Sequence, residues 1–274
     1  DVDIADKIVH TGDTNTAIRF PAGDTFSIET GAVEALRVDS SQRLLVGTDS
    51  TVNDENFGIG KLQATKASGF QHVLFSGHSD SALNATAFSV GRSRGSQSSP
   101  GYLSSGDHIA RFSAISYNGG DYKSSACIDF FAADQHASDD LPGYIAFKTV
   151  PDGSADLAER LRITSTGKVS IGNESSPLGT LHVKEGDSGV TSADIHQDTL
   201  FLENNGNAGL TIATPNTNTG YITFADPDDS NIGQIIYRHS DNNMSMFVNA
   251  AERLRIDSSG RVTAFNGGSN QASE

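Results

Sequence analysis

Along most of this chain apolar and polar residues alternate in short runs. Early examples are Thr25-Phe26-Ser27-Ile28-Glu29, Gln71-His72-Val73-Leu74-Phe75, Ala87-Phe88-Ser89-Val90 and Tyr144-Ile145-Ala146-Phe147. Later ones are Thr180-Leu181-His182-Val183, Gly209-Leu210-Thr211-Ile212 and Gln234-Ile235-Ile236-Tyr237. A period of two sends successive side chains to opposite faces of an extended strand. Clusters of Gly, Ser, Asn, Asp and Pro separate the runs, and these are turn residues. The best helical candidate, Asp152 to Arg162, runs into a strand motif. The pattern predicts an all-β chain of roughly fifteen or more short strands, mostly antiparallel and joined as hairpins.

One motif occurs three times: Glu34 to Leu44, Glu159 to Val169 and Glu252 to Val262. In the second copy Glu159-Arg160-Leu161-Arg162-Ile163 is followed by Thr164-Ser165-Thr166-Gly167 and then Lys168-Val169-Ser170-Ile171. This spells a hairpin. Leu161 and Ile163 share one strand face, and Arg160 and Arg162 the other. Gly167 ends a short loop at a position suited to positive φ. The first copy has Gln42 there, which at positive φ costs about 1 kcal/mol, so its turn is expected to differ. Glu34 with Arg37, Glu159 with Arg162 and Glu252 with Arg255 keep one offset, which predicts ion pairs within or between chains. Leu161, Ile163 and Val169, with their equivalents Leu254, Ile256 and Val262, should point into a shared apolar core.

The repeat extends upstream. Ile128-Asp129-Phe130 stands to the second copy as Ile222-Thr223-Phe224 stands to the third, and Phe112-Ser113-Ala114-Ile115 matches Gly209-Leu210-Thr211-Ile212. Two homologous modules fall at 108–172 and 207–265, with a shorter relative at 1–48. Connectors occupy 49–107, which contains a Ser/Gly-rich loop, and 173–206. A flexible tail is expected at 266–274.

Glu-Arg-Leu-Arg-Ile, a Ser/Thr-Gly turn and Lys/Arg-Val-x-Ile-Gly resemble the repeated modules of phage tail fibres. Residues 159–183 carry the likeness best, through Gly172, Pro177 and Thr180-Leu181-His182-Val183. The opening Asp6 to Thr14, with Ile18-Arg19-Phe20-Pro21, is similar to fibre proteins of marine and cyanobacterial phages. Such fibres often carry an endosialidase-type chaperone domain further downstream. The resemblance implies a modular, intertwined homotrimer: a virion stalk or adhesin joined to other tail proteins and meeting a host glycan or protein. Thr263-Ala264-Phe265 departs from the pattern by losing the Ile-Gly ending, which puts the exit of the last module in doubt.

Composition narrows the function. The net charge is −15, which opposes binding to nucleic acid or insertion at an anionic membrane. No apolar run reaches the length of a membrane span. The opening Asp1 to Asp6 shows neither a leader nor a starting Met and reads as a piece of something longer. The single Cys, Cys127, lies in an apolar stretch and reads as a buried, inert thiol.

Candidate chemistry is sparse. Gly91-Arg92-Ser93-Arg94-Gly95 fits a nucleophile-elbow pattern, but a loop follows where a helix is needed. Asp226-Pro227-Asp228-Asp229-Ser230-Asn231 resembles a calcium loop but has Tyr237 where the bidentate Glu belongs. His72 and His182 fall within strands, and His10, His78, His108, His136, His196 and His239 share no ligand spacing. A ring of identical His around a threefold axis would need no spacing at all. These features predict no enzyme, no cofactor and no assigned catalytic or metal residues. The alternatives are a tailspike-like polysaccharide depolymerase, which Trp-free, aromatic-poor composition disfavours, and a bacterial surface adhesin. Host contact, if this segment makes it, is expected in the loops Gly91–Gly106, Tyr117–Tyr122, Asp134–Asp140 and Asp226–Asn231. Without an aromatic cluster, a spacer role is favoured.

Overall fold

A computed structural model describes residues 4–54, 58–65, 87–266 and 269–270. The chain divides into two compact units, Asp1–Gly206 and Asn207–Glu274. The described residues form twenty-three strands and no helix, so the chain is all-β. Gln71–Phe75, His72 and His78 lie outside the described residues, as does most of the expected tail.

The first unit opens with the meander β1 (Lys7–His10), β2 (Asp13–Arg19), β3 (Phe26–Thr30), β4 (Val33–Val38) and β5 (Leu44–Val46). Short β6 (Asn53–Asp54) and β7 (Gly58–Ile59) come next, then β8 (Leu62–Ala64), which pairs in parallel with β5. A hairpin joins β9 (Arg94–Ser96) to β10 (Ser99–Gly101). The larger sheet comprises β11 (His108–Tyr117), β12 (Tyr122–Ala132), β13 (Gly143–Thr149), β14 (Ala158–Ile163), β15 (Val169–Ile171), β16 (Leu181–Lys184) and β17 (Leu200–Glu203), with β6 and β7 at one side. It is antiparallel from β11 to β15; β15, β16 and β17 then run parallel, and β6 joins β12 in parallel. The second unit is one meander: β18 (Thr219–Phe224), β19 (Gly233–Arg238), β20 (Asn243–Val248), β21 (Ala251–Ile256), β22 (Val262–Asn266) and β23 (Ser269–Asn270).

The three motif copies are the hairpins β4–β5, β14–β15 and β21–β22. Their turns are the same. Gln42, Gly167 and Gly260 have φ of 60°, 82° and 82°. Each donates its amide to the carbonyl three residues back, on Asp39, Thr164 or Asp257. The first turn therefore does not differ, contrary to the expectation from its sequence. Two amides bonded to the Asp39 carboxylate, those of Ser41 and Arg43, help hold Gln42 in its unfavourable region. Gln42→Gly should then raise the melting temperature, by up to about 1 kcal/mol of added stability. A thermal melt beside the parent checks it, and a lower transition would show that the Gln42 side chain contributes more than its backbone costs.

A single residue decides how the chain leaves each hairpin. Gly47 and Gly172 end the first two copies at φ of 74° and 99°. Each donates its amide to the carbonyl of Ala35 or Arg160 at 3.1 Å. A Cβ on Gly47 would stand 2.5 Å from the Thr65 carbonyl oxygen, and one on Gly172 would overlap that of Lys184. Both carbonyls lie at the far end of the parallel partner, so glycine is what lets β8 and β16 close in. The third copy has Phe265 at this place, and there β22 continues and pairs antiparallel with β23 instead. That substitution accounts for the altered exit of the last module.

Two expected strands are not strands. Ala87–Val90 and Gly209–Ile212 alternate as strands do but are not in a strand among the described residues, and Phe88, Leu210 and Ile212 are exposed. Arg160 and Arg162 do not share a face as expected, because Arg160 sits at a bulge and is exposed while Arg162 is half-buried.

The faces of the sheets are unequal in an unusual sense. Cross-strand rows such as Phe112–Ile128–Phe147–Leu161–Ile171 and Ile222–Ile235–Met246–Leu254 line one face. Phe112, Ile171 and Ile222 in these rows are exposed by 43%, 42% and 44%, although Ile128 is buried to a greater degree. The buried strand residues, including Ser27, Leu45, Asp129, Ala146, Ser170 and Ser245, lie on the opposite face, the one that carries the charges. Leu161, Ile163 and Val169 do share a face, as expected, but among the described residues no second layer within their unit covers it.

Candidate functional site

Chemistry-bearing side chains gather on the charged face. In a regular strand residues three apart point to opposite sides. Here a bulge falls within each Glu-x-x-Arg stretch, where the register shifts at Ile28/Glu29, Phe147/Lys148 and Met246/Phe247. The extra residue, Ala35, Arg160 or Arg253, turns Glu and Arg to the same side. Arg37 donates twice to Glu34, at 2.7 Å both times, and Arg162 donates twice to Glu159 at 2.8 Å. Arg255 does the same to Glu252 at 2.7 and 2.6 Å. All three pairs lie within one chain.

Each clamp arginine sits across the ladder from a fully buried small residue: Ser27, Ala146 or Ser245. Ser245 donates to Glu252 at 2.6 Å, but the Ser27 hydroxyl has no partner. A buried hydroxyl left unbonded costs about 1–3 kcal/mol. Ser27→Ala, which copies Ala146, should be neutral or stabilising by about 1 kcal/mol. Denaturant titration tests this, and a clear loss of stability would mean that the hydroxyl is satisfied in solution.

The first polar cluster centres on Asp129 in β12, whose side chain is wholly buried. Arg111 donates to both its oxygens, Lys148 lies 3.0 Å away and His108 Nε2 lies 2.9 Å away. Burial alone would raise the carboxyl's pKa, but the bonds from Arg111 and Lys148 outweigh it and hold it well below the usual carboxylate range. Cys127 Sγ lies 3.6 Å from the same carboxylate, and burial together with that charge pushes the thiol up, which suppresses thiolate chemistry. Beside the cluster runs a stack that the sequence did not reveal, because its members come from separate strands. His108 lies on Phe131 at 4.6 Å, Phe131 on Tyr144 at 5.0 Å, and the Arg162 guanidinium lies 4.2 Å over Tyr144. Phe131 and Tyr144 are thus each sandwiched between neighbours in the stack.

The second cluster is Glu174, His182 and Glu203, whose ligand-type atoms all lie within 4.8 Å of one another. His182 is fully buried. Its Nδ1 accepts the Leu178 amide at 3.3 Å, so the ring proton resides on Nε2 and is shared with Glu203 at 2.8 Å. Glu203 also accepts the Ser188 amide at 2.7 Å and hydroxyl at 3.0 Å; these bonds, the amide's above all, lower its pKa. The set has metal-ligand chemistry, but the Lys184 ammonium already supplies the cation, 2.9 Å from Glu174 and 3.6 Å from Glu203. The arrangement therefore works as a polar rivet joining β16, β17 and the loops after β15 and β16. His182 was legible as a strand histidine; Glu203, 21 residues away in sequence, was not.

The remaining candidates stay apart. Ser93 is exposed, and hairpin β9–β10 comes after it, not the helix an elbow requires. Asp226 turns its carboxylate back on the amides of Asp228 and Asp229, as an ordinary polar turn does. In the β11–β12 turn Asn118 caps the amides of Gly120 and Asp121 in the same way. In the 134–140 loop Ala137 bridges to Asp140. His136 there is buried, with Nε2 3.2 Å from the Pro142 carbonyl oxygen.

No protein-family model and no curated protein matches this chain. Among solved structures, the carboxy-terminal domain of the bacteriophage T5 L-shaped tail fibre with its intramolecular chaperone domain aligns over 79% of this chain. The TM-score is 0.50 at 14% identity, and the chain spans 66% of that structure. The chain has the fold of a phage tail-fibre domain. The same T5 domain without the chaperone aligns over 73% of the chain and 93% of that structure, with TM-score 0.33 and 13% identity. Within this tail-fibre fold each clamp sits in its own sheet, and the Glu159–Arg162 clamp shares the larger sheet with both clusters, which tie strands and loops together.

Proposed function

We propose that this chain is a structural, non-enzymatic part of a phage tail fibre. It forms a homotrimeric stalk of the virion, lies outside the cell, is joined to other tail proteins and serves host attachment. The observation that carries this reading is the inverted burial of the sheets. Each unit turns a continuous apolar face outward and buries its charged one. An apolar side chain gains about 1.5–3 kcal/mol on burial, and exposed apolar patches of this extent mark association surfaces. Identical chains packed with these faces inward, around a closed axis, would cover all of them at once. The number three comes from the resemblance of the Glu-Arg-Leu-Arg-Ile modules to trimeric fibres. The ring faces and carboxylates of the charged side are engaged with one another, which favours a spacer over a polysaccharide-cleaving surface.

Sedimentation equilibrium of the whole chain should return three times the chain mass. Ile163→Asp, in the middle of the apolar face, should lower that mass at micromolar concentration. A stable monomer, or an Ile163→Asp variant that assembles like the parent, would overturn the reading. Incubation with host polysaccharide should release no new reducing ends.

A further inference from the structure

We propose that residues 208–213 of one copy add as a strand to the β18 edge of a neighbouring copy. This rests on the homo-oligomeric reading above and specifies one of its contacts.

Residues 209–212 have the alternation of a strand yet belong to none, and Leu210 is 64% exposed. Among the described residues no backbone hydrogen bond holds 208–213. In the same unit β18 ends its sheet and, among the described residues, pairs only with β19. Natural edge strands are guarded by charge, by proline or by a cover. Another sheet-end strand, β1, carries a charge in Lys7. By contrast β18 reads Thr-Gly-Tyr-Ile-Thr-Phe, with no charge and no proline, and Tyr221 and Phe224 on it are exposed by 53% and 59%. Such an edge calls for a partner strand.

The homologous module shows the element that β18 lacks. There β11 covers the corresponding edge of β12, with Phe112 opposite Ile128. Ile128-Asp129-Phe130 matches Ile222-Thr223-Phe224, and Phe112 to Ile115 matches 209–212, so the segment that should cover β18 is 209–212 itself. Within one chain it does not do so. Ile212 lies over the face of Gly220, its methyl 3.4 Å from where a Cβ would stand, and with Ile222, Ile235 and Met244 it lines an apolar cavity of about 210 Å³ on that face. A second copy fits this edge better than a foreign protein. The segment Ala-Gly-Leu-Thr-Ile-Ala is uncharged, so it can approach without the repulsion that a net charge of −15 otherwise imposes between copies. Exchange of identical elements is an established route to closed oligomers.

The test uses Leu210→Cys with Tyr221→Cys in a Cys127→Ala background, because the register of the first module places these positions opposite each other. Mild oxidation followed by a non-reducing denaturing gel should give covalent oligomers. A disulfide confined to single chains, or none, overturns the exchange. Light scattering on the same sample separates the two readings: an oligomer lacking interchain disulfides removes only this inference, whereas a monomer removes the homo-oligomeric reading too. Hydrogen exchange on the unmodified protein supplies a readout free of mutation. The amides of 209–213 should exchange slowly, as in a paired strand; exchange at the rate of an open loop would count against the proposal.

Discussion

Gly172→Ala should collapse the parallel end of the larger sheet, at a cost of about 3 kcal/mol or more. The expectation combines two separate penalties. At φ of 99° an L side chain is strained, and the added methyl would overlap the Lys184 carbonyl oxygen. That atom is backbone, so it cannot swing aside. Relief requires moving β16 off β15, which takes Lys184 away from Glu174 and undoes the His182–Glu203 rivet. Gly167 provides the control. It has φ of 82°, but an added Cβ there would meet nothing within 4 Å, so Gly167→Ala should cost only about 1 kcal/mol. Thermal melts of the two variants side by side separate strain from close approach. Equal losses would mean that the parallel strand does not close on Gly172.

The second large effect concerns Asp129. Asp129→Ala removes a wholly buried carboxylate that Arg111 and Lys148 both bond, and breaking this buried ion pair should cost about 3 kcal/mol. The same group sets an acid dependence. Its folded pKa lies below the unfolded value of about 3.9, so it stabilises the fold above that pH, and the contribution is lost as pH falls through the folded value. Denaturation measured from about pH 6 downward should show the parent losing stability below about pH 4, with the gap between parent and Asp129→Ala narrowing in that range. A constant gap would place the Asp129 contribution in packing rather than in charge.

Much of the fold can be read from the sequence because the determinants are local. Period-two runs mark the three hairpins, Ser/Thr-x-Gly turns mark two of them, and Glu with Arg at a constant offset announces the clamps. The bulge that makes the clamps geometrically possible leaves no mark, since Ala35, Arg160 and Arg253 are not glycine and do not share one residue type. Both polar clusters are illegible for another reason. Asp129 meets Arg111 and Lys148, and His182 meets Glu203, only through strand pairing, and one sequence does not reveal pairing between distant strands. Gln42 misleads in the opposite direction, since the Asp39 carboxylate holds its turn to the geometry that glycine has in the other copies. The runs at 87–90 and 209–212 mislead too, because alternation reports a tendency to pair without reporting where the partner edge lies.

The bulge-anchored clamp also bears on how such a chain could change over evolutionary time. Glu and Arg lock to each other within one strand, so each repeat fixes its own alignment without reference to the next. A stretch of gene encoding one repeat could then be duplicated or deleted in a single event, and the surviving copies would still find their own alignment. The lineage could lengthen or shorten the chain by whole repeats, leaving the exposed turns free to diverge between copies.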